Sequence, residues 1–318
     1  MKSRFFVRVI FVALTALGVG VAFGQNYPYK PVRILSAEVG GGADFVARVV
    51  AQRIAGALGR QVVVENRPAR LIGEILVKAT ADGYTLLLTS STTLFAPLFG
   101  ATLYDPVQDF SPITMLASAP NIIVVHPAVP VTSVKELIAL AKARPGELNY
   151  GSGGTGSSLH LAAELFKQMA GVDITRIAYK GAGPAMNDLL GGQVQMVFAT
   201  AGSVMRHIQS GRLSALAVTS PEPSGLAPGL PTVAASGVPG YEMEAIYALV
   251  APLNTPAPVI KQLNQVIVLA LDQADMKERF LGAGIEAASS SPGQLAARIK
   301  SEIAAIGRLI KDDRIRAD

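Results

Sequence analysis

A strand-like segment that runs into a cluster of glycines and then into a helix occurs twice in this chain, and it constrains the fold more than any other feature. The stretch Asn149–Glu164, NYGSGGTGSSLHLAAE, ends a strand at a turn holding Gly151, Gly153, Gly154 and Gly156, then opens a helix with Thr155, Ser157 and Ser158. Hydroxyl residues suit N-cap positions, and the unpaired N–H groups of a helix start attract anions. The stretch Glu38–Asp44, EVGGGAD, repeats the design more than a hundred residues earlier. Two such turns facing one another across a cleft would hold a small carboxylate between them.

Around these turns the chain alternates strand and helix. The pattern predicts a strand at Val32–Ala37, a helix at Ala43–Leu58 with Gly59 as its C-terminal cap, and a strand at Gln61–Glu65. A helix at Ile72–Thr80 and a strand at Tyr84–Leu88 follow, and Ser90–Thr93 form another strand-to-helix turn on the same edge as Gly40–Gly42. Ligands of open α/β sheets bind where such turns gather, at the carboxyl ends of strands. Ile113–Val125 is a long strand-forming region that Pro120 should interrupt, and Ser133 caps a helix at Val134–Ala143. The same βα alternation then repeats through Val218, and Tyr241–Ala251 is again strand-like. Helices are predicted over Pro258–Leu271, Asp275–Ala283 and Pro292–Ile310. The simplest architecture is α/β, with two lobes, each a mixed sheet flanked by helices, hinged by strands crossing near Ala119–Val125 and Glu242–Leu249. The expected units are 25–122 with 246–318 for the first lobe and 123–245 for the second.

Lys2, Arg4 and Arg8 precede an uncharged run, Val9–Phe23, ending in Ala22-Phe23-Gly24. This has the layout of a secretory signal peptide, residues 1–24, cleaved near Gly24–Gln25, and it is too short and too interrupted by glycine for a membrane span. A periplasmic protein is expected. The chain has no cysteine, which excludes disulfides, thiolate metal sites, a Cys nucleophile and a lipid-anchored form. Its net charge is only +5, three of the basic residues lie in the leader, and aromatics are sparse, so a nucleic-acid footprint is lacking.

Gly151–Gly156 is a literal G-x-G-x-x-G, with Asp173 near the distance of a ribose-binding acid. The motif lies mid-chain and Asp173 precedes its strand, which disfavours a dinucleotide site. As a P-loop it fails, because Ser157 stands where the phosphate-binding lysine belongs. His126, His160 and His207 are far apart, and none has a partner at metal-ligand spacing, so neither a metal nor another cofactor is expected. His160 reads as a solvated or cap-supporting histidine, and Ser157 as a cap rather than a nucleophile. Asp44 is expected to cap its helix. Glu38, if it faces the cleft, would favour a cargo carrying an ammonium or amide donor.

The stretches YPYKPVRI (27–34), GGGADFVAR (40–48), VVVENRP (62–68), DGYTLLLTSS (82–91), YDPVQDFSPIT (104–114), YKGAGPAMNDLLGGQVQMVF (179–198), LPTVAASGVPGYE (230–242) and APLNTPAPVIKQLN (251–264) occur in this order, with residues 126–174 between them. Together they resemble the Bug family, the extracytoplasmic solute receptors of tripartite tricarboxylate transporters. The resemblance implies a type II periplasmic-binding-protein fold that closes on a small carboxylate, gripped by backbone N–H groups of the first glycine turn. Carried onto this chain, the first-lobe contacts are Glu38, Val39, Gly40, Gly41, Gly42, Ala43 and Asp44, with Ser90, Ser91 and Thr92. The second-lobe contacts are Ser152, Gly154, Thr155, Gly156 and Ser157, with Ala199 and Thr200 in the turn after Phe198. The chain departs from the family pattern at Ser36–Val39, at a shortened Ala69–Ile72 loop and at Ala199, all around the expected cleft.

The expected function is therefore capture of a small carboxylate or carboxamide (a dicarboxylate, amino acid or aromatic acid) by a non-enzymatic, monomeric receptor. It would deliver its cargo to membrane permease subunits and needs no metal or cofactor. The alternatives are a secreted α/β hydrolase or transferase using Ser157 with His160, and a ligand-sensing receptor for a signalling partner.

Overall fold

The computed structural model describes residues 27–311, except Glu38, Gly40, Gly41, Gly154, Lys180 and Gly181. The leader and those four candidate contacts (Glu38, Gly40, Gly41 and Gly154) therefore lie outside the described residues. The first part of the chain forms β1 (Val32–Ser36), α1 (Gly42–Leu58), β2 (Val62–Asn66), α2 (Ala69–Val77), β3 (Thr85–Ser90) and α3 (Ser91–Phe99). β1 pairs in parallel with both β2 and β3. Each strand therefore needs a helical crossover, which the period-3.6 apolar stripe Val46, Val50 and Ile54 of α1 supplies by packing on β1.

β4 (Phe110–Val125) is the longest strand, and it belongs to two hydrogen-bonded sheets. Its first section, Phe110–Pro120, lies antiparallel to β9 (Glu244–Pro252), which in turn pairs with β3. Its second section, Asn121–Val125, pairs with β7 (Met196–Thr200) and β8 (Ser214–Val218). Pro120 does not break the strand as its chemistry suggested. It sits where the ladder changes partner, opposite Glu244, while Asn121 already faces Thr200. A missing N–H is tolerated at such a discontinuity.

The second sheet continues with β5 (Asn149–Ser152) between β7 and β6 (Thr175–Ala178), all parallel. Its helices are α4 (Val134–Ala143), α5 (Ser158–Ala170), α6 (Ala182–Leu190) and α7 (Ala201–Gln209). Ser133 caps α4 by accepting from Glu136 N, while the Glu136 carboxylate accepts from Thr132 N at 2.6 Å. Gly171, left-handed at φ 62°, ends α5 with N–H bonds to Gln168 and Lys167 carbonyls.

The chain closes with α8 (Ala257–Leu271), α9 (Ala274–Gly282), β10 (Glu286–Ala287) and α10 (Pro292–Lys311). β10 is too short for a sequence pattern to reveal and exists because β4 offers it an edge. α8 and α9 pack on the α1 side of the first sheet, and the Leu295, Ile299 and Ile306 stripe of α10 packs into a cluster reaching from Leu35 and Phe95 to Tyr150 and Phe198. No helix of the described residues is long and apolar enough to cross a membrane.

Candidate functional site

Where α1, α3 and α5 begin, a cavity of about 230 Å³ opens between the sheets. Its lining takes Gly42 and Ala43 from the first turn of α1, Ser90, Ser91 and Thr92 from the start of α3, and Ser157 and Ser158 from the start of α5. The floor is strand β9, through Ala245, Ile246 and Tyr247, with Ala37 beside it. Among the described residues the lining carries no charged side chain. A negative charge placed there would be met by helix N-termini, each worth ~0.3–1 kcal/mol near the surface and up to ~2 kcal/mol where water is excluded. Among the described residues no cluster of His, Asp or Glu could hold a metal ion.

The motifs meet because second-rank residues brace the turns. Asn66, from the ENRP stretch, donates through Nδ2 to Ala37 O at 2.6 Å and to Asp44 Oδ1 at 2.8 Å. Arg48 pairs with Asp44 at 2.9 Å and donates to Asn66 Oδ1 at 2.8 Å. The buried Asp44 carboxylate thus ties the α1 start to the end of β2. At the other turn, Arg176 on β6 donates to Ser152 Oγ at 2.8 Å and to Thr155 Oγ1 at 3.1 Å. Neither Asn66 nor Arg176 was predicted as a site residue, since nothing local to them signals a contact many residues away. The ENRP stretch was the one available hint for Asn66.

His160 is fully buried rather than solvated, and it supports the cap: Gly156 N donates to its Nδ1 at 3.1 Å, while Ser157 Oγ accepts from His160 N at 3.4 Å. Gly156 is left-handed at φ 79°, and a Cβ there would stand 3.1 Å from the Phe99 ring at the end of α3. The second turn and α3 therefore touch directly.

Of the candidate contacts, Gly42, Ala43, Ser90, Ser91, Thr92 and Ser157 line the cavity. Ser152, Thr155 and Gly156 lie one layer behind it, engaged with Arg176 and His160. Val39 is 74 % exposed. Ala199 is buried inside β7, and Thr200 is the N-cap of α7, bonded to Ser203, so neither reaches this cavity. Ser158, Ala37 and the β9 residues are the lining positions that sequence reasoning missed. Tyr247 could have been found only by knowing the register of β9 against Ser90.

Helices start at one cavity between two sheets that share a crossing strand, the arrangement of a periplasmic-binding-protein fold. The chain belongs to the tripartite tricarboxylate transporter family of receptors, whose family model matches residues 46–315. It is 37% identical to Protein BugT of Bordetella pertussis over 301 residues, covering 92% of each chain. Among solved structures it is similar to R. palustris Rpa4515 with adipate, with a TM-score of 0.77 and 32% identity over 91% of this chain and 99% of that one. It is also similar to MatC from Rhodopseudomonas palustris with bound malate, with a TM-score of 0.73 and 27% identity over 89% of this chain and all of the other (100%).

Proposed function

We propose that this protein is a periplasmic receptor that captures a small carboxylate or carboxamide between two lobes and passes it to a membrane permease. The lobes are 25–122 with 246–318, and 123–245, and β4 and β9 cross between them. The observation that carries this reading is the convergence of three helix starts on one cavity whose described lining has no side-chain charge. Such a site favours an anion by dipoles and N–H groups alone. The adipate and malate of the two similar structures are acids of this size and chemistry. Binding, with contacts to both lobes, would drive closure without any chemical step.

A hydrolase built on Ser157 is disfavoured, because His160 Nδ1 already accepts from Gly156 N and Ser157 Oγ serves the helix cap. The test is a thermal-shift screen of the refolded mature protein against dicarboxylates, amino acids, aromatic acids and their amides. A cargo at a hundredfold excess over its Kd stabilises the fold by ~2.7 kcal/mol. A shift with one such class and no turnover supports the receptor; turnover of an ester or amide that disappears in Ser157→Ala would overturn it.

A further inference from the structure

Tyr247 lies on β9 in register with Ser90, and its ring packs against the α1-side core of the first sheet. The phenol oxygen emerges into the cavity at the very start of α1: a Cβ built on Gly42 would stand 2.3 Å from Tyr247 Oη and 3.1 Å from Cζ. A side chain on Gly42 would collide with the phenol, so space alone calls for glycine there. Among the described residues the hydroxyl makes no hydrogen bond, whereas the hydroxyls of Tyr27, Tyr84, Tyr104, Tyr150 and Tyr241 are each held by the protein. Tyr247 is only partly buried and its hydroxyl opens on the cavity, so a ligand oxygen seated there would take the place of water as its partner. Burial raises the Tyr247 pKa above its ordinary value, so the group is a neutral donor across the physiological range.

We propose that Tyr247 is a specificity-determining residue of this receptor, its phenol donating a hydrogen bond to the carboxylate seated on the N–H groups of α1, in room that Gly42 leaves open. The inference rests on the carboxylate reading given above. An anion at the first turn of α1 lies beside Gly42, within reach of the phenol. Strand β9 thereby adds a side-chain donor to a site otherwise made of helix ends and small hydroxyls, and it couples the cargo to its neighbour β4, the strand that the two sheets share.

The experiment is calorimetric titration of succinate, adipate and malate into refolded wild-type protein, Tyr247→Phe, Gly42→Ala and the double variant. Tyr247→Phe keeps the ring and should leave the ligand-free Tm unchanged, because the hydroxyl has no protein partner. It should lose about tenfold or more in affinity for whichever acid the wild type binds, as a hydrogen bond to a charged group would. Gly42→Ala should also weaken binding, and it should cost less in the Tyr247→Phe background, where the colliding oxygen is absent. Unchanged affinity in Tyr247→Phe, or a loss that comes with a lowered ligand-free Tm, overturns the proposal. If the wild type binds none of the three, the titration uses whichever acid shifts its Tm in the screen above, and a wild type that binds no acid in that screen overturns the carboxylate reading itself, and this inference with it.

Discussion

The residues that shape the cavity from behind are polar, buried and long-range, and each makes a measurable prediction. Asn66 joins Ala37 to Asp44, so Asn66→Ala removes a donor from the buried Asp44 carboxylate, which keeps Arg48, and from the Ala37 carbonyl. It should cost about 1–3 kcal/mol of stability and weaken cargo binding, measured by denaturant unfolding and titration. Arg176→Ala leaves Ser152 and Thr155 without their shared donor and should weaken binding more than Arg176→Lys, which restores the charge without the fork. At the start of β9, next to the cavity floor, burial raises the Glu244 pKa, with Arg298 at 3.4 Å only partly offsetting it, and Glu302 behaves alike. A carboxyl whose folded pKa lies above its unfolded value stabilises the fold when protonated, and that contribution is lost as pH rises from 4.5 through the elevated value. In a Tm-against-pH series, Glu244→Gln should therefore gain relative to wild type as pH rises through that window; parallel curves would show that Arg298 offsets the whole effect.

Among the elements, helix starts and strand ends line the candidate site, and they were also the most legible in the sequence. The glycine turns, the Ser157 and Ser133 caps and the strand-to-helix step at Ser90–Ser91 all announced themselves through local chemistry. What local chemistry could not show is which starts share a cavity. α1, α3 and α5 do, whereas α7 turns its start elsewhere: Gly202 in its first turn packs against Gly284, where a Cβ on Gly202 would stand 2.9 Å from Ala283 O. Gly284 is left-handed at φ 72°, and a Cβ there would stand 2.5 Å from Gly202 N. Gly284→Ala should therefore lower stability by ~2 kcal/mol or more, combining the left-handed penalty with a backbone clash, as read by chemical denaturation. Gly156→Ala should carry the same left-handed penalty, with a milder crowding of the Phe99 side chain at 3.1 Å.

On the scale of the whole molecule, the two sheets are joined at several places besides the shared strand β4. Ser224, in the loop after β8, donates to Glu286 of β10 at 2.6 Å, and α10 reaches across with Leu295 and Ile299 in the cluster that spans both sheets. In the proposed closure, the β4–β9 ladder would stay intact while the Phe99–Gly156 contact opens and closes. Small-angle scattering should show a smaller radius of gyration on addition of a cargo acid, and Phe99→Ala should weaken binding while leaving that change in the same direction. An unchanged scattering curve at saturating ligand would argue against closure.

The alternation of strands and helices, the capping residues and the lack of any cysteine were determined by the sequence alone. Each depends on interactions within a few residues, where spacing and side-chain chemistry decide the outcome. The tertiary structure decided the rest: that Pro120 lies inside a continuous strand, that β10 exists, that Asn66 and Arg176 brace the turns, and that Tyr247 stands over Gly42. Those outcomes depend on register between segments far apart in the chain, and register is set by the joint burial of many apolar side chains rather than by any motif that one segment carries.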